Sequence, residues 1–434
     1  MRAIPMALIA TAFMTTSLNA AALSGIVQKP NVDVYAEPKL DAPKVATLKR
    51  DAKVDVSAQQ GLWYQLQMPA SAKGYVRVND LRIDYAGTES GDANLRVLMG
   101  GKAGVGRVTE TAGVRGIDES DLKSAAFDQA QLTAMEGYRV DGAAATAYAG
   151  KRGWQATSVE YDGEAKRGKG GGGKTALESG GNVLSSIGSG LGSLFGKAAK
   201  VAPKSEEELS AEELALGPQI AGRVLGARPL WNDAAAQKRV NVIGRWVALQ
   251  TSRADLPWAF GVIDTPEVNA FAAPGGYIMM TRGLYELLST DSEVAAALGH
   301  EISHCVQRDH YNVIRKQEMA TMGKDEVLSN VNTPTDNPAV AFARSYVEQH
   351  GATIMLATLD REAEYRADKA AEIYLARAGM NPMTLYSVLQ KMIALGSKSA
   401  ALAQLYKTHP TLDARMDRID KRDYEGLTAY TTRD

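Results

Sequence analysis

Thr290-Asp291-Ser292-Glu293-Val294-Ala295-Ala296-Ala297-Leu298-Gly299-His300-Glu301-Ile302-Ser303-His304 is the stretch on which the reading of this chain turns. Thr290, Asp291 and Ser292 are capping types, Glu293 stands three residues after Thr290, and a run of small and apolar residues follows. That pattern predicts a helix. A helix turns every 3.6 residues, so His300 and His304 share one face. Two imidazoles one turn apart can hold one cation at Zn–N distances of about 2.0 Å. Glu301, next to His300, comes within reach of a water on that cation, which makes two ligands and a base for metal-assisted hydrolysis. The bland alternative is a helix that happens to carry two histidines. It weakens because an Ala/Val/Leu-rich helix is a buried one, and buried ionisable groups need partners.

A catalytic zinc site needs a third protein ligand. The best candidate is Glu364, in Leu359-Asp360-Arg361-Glu362-Ala363-Glu364-Tyr365-Arg366-Ala367-Asp368-Lys369-Ala370-Ala371. Asp360 can cap this helix, and Gly379 with Pro382 ends it. Glu364 and Asp368 fall on one face, with Ala363, Ala367, Ala370 and Ala371 leaving room around them. Asp368 can accept the free N–H of a zinc-bound histidine and set its tautomer. Glu362, Arg366 and Lys369 read as surface charge pairs. The expected cofactor is one Zn2+ per chain.

Around these helices lie 434 residues, enough for two to four domains. Lys+Arg 49 against Asp+Glu 50 leaves a net charge of −1, so a nucleic-acid partner lacks its electrostatic support. The single cysteine, Cys305, excludes a disulfide framework and any multi-cysteine zinc or iron–sulfur site. Residues 1–22 combine Met1-Arg2, an apolar stretch from Ala3 to Phe13 and the small-residue exit Ala20-Ala21-Ala22, the pattern of a secretory signal peptide. No run is long enough for a transmembrane anchor. The expected location is therefore exported, periplasmic, with peripheral membrane association left open.

Residues 23–86 look all-β. Val32–Tyr35, Val45–Leu48, Lys53–Val56, Trp63–Leu66 and Gly74–Val78 alternate between Pro and Gly punctuation, which predicts five short strands in a small barrel. Residues 87–165 form a small region with helical patches at Asp118–Lys123 and Phe127–Leu132, and no chemistry attaches to them. Residues 166–205 are a Gly/Ser/Lys-rich linker. Inside it, Gly168-Lys169-Gly170-Gly171-Gly172-Gly173-Lys174-Thr175 matches the phosphate-cradling pattern. It lacks the feeding strand and following helix that such a loop requires, so a nucleotide site is not expected. From Ser205, a capping residue before Glu206-Glu207-Glu208, long helical patterns take over to residue 434. The fold class is accordingly α+β: a small all-β barrel followed by a mainly helical domain.

Two resemblances extend this reading. Val32-Asp33-Val34-Tyr35-Ala36-Glu37-Pro38, Gly61-Leu62-Trp63-Tyr64 and Gly74-Tyr75-Val76 sit where bacterial SH3-like modules have their opening, Trp-Tyr and closing strands. That resemblance implies peptidoglycan or an envelope protein as partner, or a spacer role. His300-Glu301-x-x-His304, Glu364-x-x-x-Asp368 and Thr408-His409-Pro410 followed by Arg415 resemble the HtpX-like and CAAX-prenyl-endopeptidase zinc metallopeptidases, periplasmic BepA-like members included. It covers about residues 206–425. It implies a gluzincin-type domain, His300, His304 and Glu364 as zinc ligands, and Glu301 as general base, acting on protein or peptide substrates. His409 and Arg415 become oxyanion stabilisers, or His409 a removable fourth ligand. Asn269-Ala270-Phe271-Ala272-Ala273-Pro274-Gly275-Gly276 resembles the small sheet's edge strand before the metal helix, where Asn269, Ala270 and Phe271 would add an extended substrate as a strand. The membrane-embedded members carry transmembrane helices that this sequence lacks, so lipid-linked substrates are not expected. The rival reading is a non-catalytic envelope adaptor with a structural zinc.

The remaining reactive residues receive no role. Cys305 points about 100° away from the ligand face and reads as a small buried residue. His310 lies off that face, and His350 reads as a helix-end residue. The segment from Met319 to Ala352, with Gly323, Pro334 and Pro338, is a candidate lid over the site.

Overall fold

The computed structural model describes residues 23–69, 72–84, 117–164, 205–322, 337–396 and 399–433. The signal-like segment, the phosphate-loop pattern, the linker up to residue 204 and the middle of the candidate lid lie outside the described residues.

The N-terminal part is one antiparallel sheet of seven strands: β1 (Leu23–Val27), β2 (Asn31–Tyr35), β3 (Lys44–Lys49), β4 (Lys53–Gln60), β5 (Trp63–Gln67), β6 (Lys73–Arg77) and β7 (Leu81–Asp84). Their spatial order is β3-β2-β6-β5-β4-β1-β7. Strict alternation places Val32, Val34, Tyr64 and Leu66 inside and their neighbours out. The five strands read from the sequence are present, and β1 and β7 are additional. These two pair with each other, Gly25 opposite Ile83, across nearly sixty positions of chain. A pairing that distant carries no hairpin signal. β1 also contains Ser24 and Gly25, which are weak strand formers.

The helical part follows, built on α1 (Glu119–Ser124), α2 (Gln129–Gly137), α3 (Gly142–Lys151), α4 (Glu206–Ala227) and α5 (Ala234–Ala248). A three-stranded sheet comes next: β8 (Ala259–Ile263), β9 (Ala270–Ala273) and β10 (Tyr277–Thr281). β10 is central, parallel to β8 and antiparallel to β9, so β9 is an edge. Then come α6 (Arg282–Leu287), α7 (Asp291–Val306), α8 (Asp309–Met322), α9 (Pro338–His350), α10 (Arg361–Arg377), α11 (Thr384–Ile393), α12 (Leu405–Thr408) and α13 (Leu412–Arg422). The architecture is α+β, as the sequence predicts. Among the described residues no helix is long and apolar enough to cross a membrane.

Residues 117–164 are not peripheral. Leu122, Leu132 and Met135 share a core with Leu216, Ile220 and Val224 of α4, while Ala145 and Ala149 join that of α5. Within the candidate lid, α9 is a fixed element: Ala343, Tyr346 and Val347 are buried in the α4 core.

The α4 contact with the segment before α2 is so close that a Cβ on Gly226 would meet the Ala126 carbonyl oxygen, and the Asp128 N–H donates to the Gly222 carbonyl at 2.9 Å. Gly226→Ala should therefore destabilise the protein by about 1–3 kcal/mol in urea unfolding, as overpacking against rigid backbone does. Gly150→Ala, in α3 with open space around it, should be neutral or stabilising by up to about 1 kcal/mol. Equal effects from the two would refute this packing.

Candidate metal centre

Helix α7 begins with the capping box the sequence announces: Thr290 accepts from the Glu293 N–H, and Glu293 accepts from Thr290. Helix α10 is capped by Asp360. The two pack against each other, Gly299 of α7 facing Ala371 of α10, where a Cβ on Gly299 would make an ordinary contact at 3.5 Å. This brings Glu364 opposite the two histidines. His300 Nε2 is 3.5 Å from Glu364 Oε2, and His304 Nε2 is 3.7 Å from Glu364 Oε1. His409, just after α12, places Nε2 3.7 Å from Glu364 Oε2. One ligand atom from each of these four residues lies within 4.8 Å of every other.

The far side of each imidazole is pinned. His300 Nδ1 donates to Asp368 Oδ1 at 2.9 Å, and His304 Nδ1 donates to Asp309 Oδ2 at 2.9 Å. A carboxylate only accepts, so each Nδ1 carries the proton and each Nε2 turns its lone pair inward. The two Nε2 atoms face each other at 3.3 Å. Glu364 Oε2 is buried beside them with no hydrogen-bond partner among the described residues. Converging lone pairs and an orphaned carboxylate oxygen fit a divalent cation held by nitrogen and oxygen.

The electrostatics agree. Burial and the Arg415 guanidinium push His300 down, but Asp368 and Glu364 outweigh them and lift it to about 9. Burial opposes the Glu364 carboxylate, yet His409, His300 and His304 hold it well below the usual range. The carboxylates around this point thus favour positive charge, which a cation supplies without a proton. Burial drives His409 down to about 3, leaving it a neutral donor. Glu301 is buried, and its carboxyl is raised by desolvation.

The other expected residues fall as follows. Asp368 is where its spacing put it, and it also holds Arg415, whose Nε and Nη2 donate to it at 3.0 and 2.6 Å. Asn269 and Ala270 line a cavity shared with His300, Glu301, His409 and Arg415. Phe271, by contrast, packs in the second core with Met279 and Tyr346. Cys305 is buried and donates to the Ala273 carbonyl; burial raises its thiol. His310 lies edge-on to His304 at 5.9 Å, outside the group of four. His350 ends α9 against Tyr346.

Asp309 is the residue the sequence reading missed. Five positions after His304, it would leave the ligand face of a continuous helix. The chain instead breaks at Arg308, whose φ of 57° reverses its direction and carries Asp309 under His304. Arg308 is held there by buried Glu213 at 2.9 Å, and Asp309 by Arg366 at 2.8 Å. Asp309→Asn and Asp368→Asn should each weaken divalent-metal affinity by about 10–100-fold in chelator competition. Affinity unchanged in both variants would rule out their orienting role.

Comparison with known proteins follows the same lines. The profile of Peptidase family M48 matches residues 234–423. A beta-barrel assembly-enhancing protease of Yersinia pestis is 25% identical over 212 residues, 49% of this chain and 44% of that protein. A protease HtpX homolog of Sulfurovum sp. is 29% identical over 205 residues, 39% of this chain and 71% of that protein. The mitochondrial metalloendopeptidase OMA1 of Arabidopsis thaliana is 30% identical over 156 residues, 36% of this chain and 30% of that protein. The chain thus spans less than half the length of the beta-barrel assembly-enhancing protease it matches. Residues 234–423, which contain all four members of the metal group, match peptidase family M48, and the relatives that share this stretch are named as proteases.

Proposed function

We propose that this protein is a zinc-dependent endopeptidase of the cell envelope. The observation that carries the reading is the convergence of His300, His304 and Glu364 beside buried Glu301, on a cavity bordered by edge strand β9. Two imidazoles and a carboxylate are a donor set suited to zinc. When bound, zinc polarises the scissile carbonyl and lowers the pKa of a water toward about 7.

The chain's own residues do the rest. Glu301 takes a proton from the attacking water and delivers it to the leaving amine. Its desolvated carboxyl, raised from the ordinary value, suits that exchange. The outward backbone groups of β9 pair with an extended substrate along the edge of the small sheet, while Asn269, whose N–H and carbonyl both bind Thr281, acts through its side chain. Asn269 is suited to fix a substrate carbonyl: its Oδ1 is occupied by the Ala270 N–H, while its buried Nδ2 has no hydrogen-bond partner among the described residues. Arg415 holds Asp368 against His300, and His409 supplies the oxyanion donor once it leaves the group of four. The place of His409 Nε2 within the group of four supports a fourth-donor role that keeps the resting enzyme latent.

The leader-like residues 1–22 support export to the periplasm. The relatives named for enhancing beta-barrel assembly support a quality-control role on misfolded or unassembled envelope proteins. The SH3-like pattern of residues 23–86 supports a cell-wall or envelope-protein partner.

Glu301→Gln should retain metal and lose about 10²–10⁴-fold in casein or peptide hydrolysis, and a chelator should abolish hydrolysis by the parent. Undiminished cleavage by this variant would overturn the mechanism. His409→Ala should bind the divalent metal more weakly in chelator competition, as loss of a fourth donor does; unchanged affinity would show that His409 does not hold the enzyme latent.

A further inference from the structure

Helix α11 is buried on every side, and its two faces meet different parts of the molecule. At about 100° per residue, Leu385, Val388, Leu389 and Met392 fall on one side and Ser387 and Gln390 on the other. The first set, with Leu284, Ala297 and Leu405, forms the apolar wall of a cavity of about 30 Å³ whose polar rim is His300, Glu301, His409, Arg415 and Asn269. The second set is gripped by the N-terminal sheet. Gln59 Nε2 of β4 donates to Ser387 Oγ at 2.8 Å, and Gln390 Nε2 donates to the Val78 carbonyl at 2.9 Å. Ser387 and Gln390 are both almost fully buried. Arg77 contacts Met383 at the head of the helix and the Thr431 carbonyl. Arg82 of β7 pairs with Asp417 and Asp420 of α13, at 2.9 and 2.6 Å, and Asp420 also accepts from Tyr386 of α11.

We infer that the N-terminal sheet is a working part of the cleft: through Gln59 and Gln390 it holds α11 in place, and α11 sets the width of the apolar pocket that receives a substrate side chain. The whole cavity, polar rim included, measures about 30 Å³ where a water needs about 10–15 Å³, so a wall set by α11 favours a small aliphatic group such as that of valine over an aromatic ring. Gln59 and Gln390 are positioning residues, since neither reaches the metal group. This rests on the endopeptidase reading for its substrate, while the grip on α11 stands on the contacts alone.

The test uses the full chain with Gln59→Leu and, from the other side of the contact, Gln390→Leu. Amide hydrogen exchange of residues 384–393 reads the grip without any chemistry. It should rise in both variants, while exchange in α7 stays as in the parent. Two peptides that differ only by valine or phenylalanine beside the scissile bond read the pocket. The parent should favour valine at least fivefold in KM. Each variant should reduce that ratio at least threefold, with kcat for the valine peptide within about twofold. A loss of fold alone would lower both peptides together and leave the ratio intact. Unchanged exchange in residues 384–393 overturns the grip. Raised exchange with an unchanged ratio overturns its control of the pocket. Should neither the parent nor His409→Ala cleave either peptide, the endopeptidase reading fails. Fluorescence anisotropy of both peptides on the parent and the two variants then measures the ratio as binding constants, and an equal affinity for valine and phenylalanine overturns the pocket.

Discussion

Burying one carboxylate between two imidazoles whose lone pairs converge is the constraint around which this molecule is arranged. Glu364 is 1% exposed, and His300 and His304 are 3% and 2% exposed. In a low-dielectric interior such a group is costly unless every donor and acceptor has a partner. The surroundings supply those partners outward from the centre. Asp368 and Asp309 take the Nδ1 protons, and Arg415 and Arg366 take the remaining carboxylate charge. The alternation of negative and positive layers leaves the innermost nitrogens and oxygens turned inward, with a cation as their natural complement.

The helices that support this arrangement pack on each other through small residues. Alanines dominate the facing sides of α7 and α10, and Gly299 meets Ala371. Larger residues would separate the helices and move the Glu364 carboxylate away from the imidazoles. On the other side, buried Glu213 of α4 binds Arg253 and Arg308 and accepts from the Gly275 N–H, tying the turn after α7 to the turn after β9. The histidine pair and the edge strand are thereby located by one buried charge cluster. α11 carries the same logic to the N-terminal sheet, whose core is continuous with that of the helical part.

Local spacing was enough to bring together much of the candidate metal group. His300 and His304 repeat at four, Glu364 and Asp368 repeat at four, and small residues flank both pairs; regular helices convert those intervals directly into faces. Alternation likewise showed five of the seven N-terminal strands. Where local regularity ended, legibility ended. Asp309 depends on a left-handed residue at Arg308 that contacts with Glu213, Glu206 and Ser210 of α4 hold in place. β7 depends on β1, and β1 on β4 and β7, partners that lie far away along the chain. Residues 117–164 showed two helical patches but no role, because side chains such as Leu122, Leu132 and Met135 acquire meaning only against α4.

By itself the sequence determined which residues lie on one helical face, where helices α7 and α10 begin, and that buried histidines and carboxylates had to find a charged partner. Only the tertiary structure decided which imidazole each aspartate orients, that His409 joins the group, and that the N-terminal sheet reaches the cleft through α11. The physical reason is range: backbone hydrogen bonding fixes geometry over a few residues, while the pairing of charges and the filling of space depend on segments that meet only when the chain is folded.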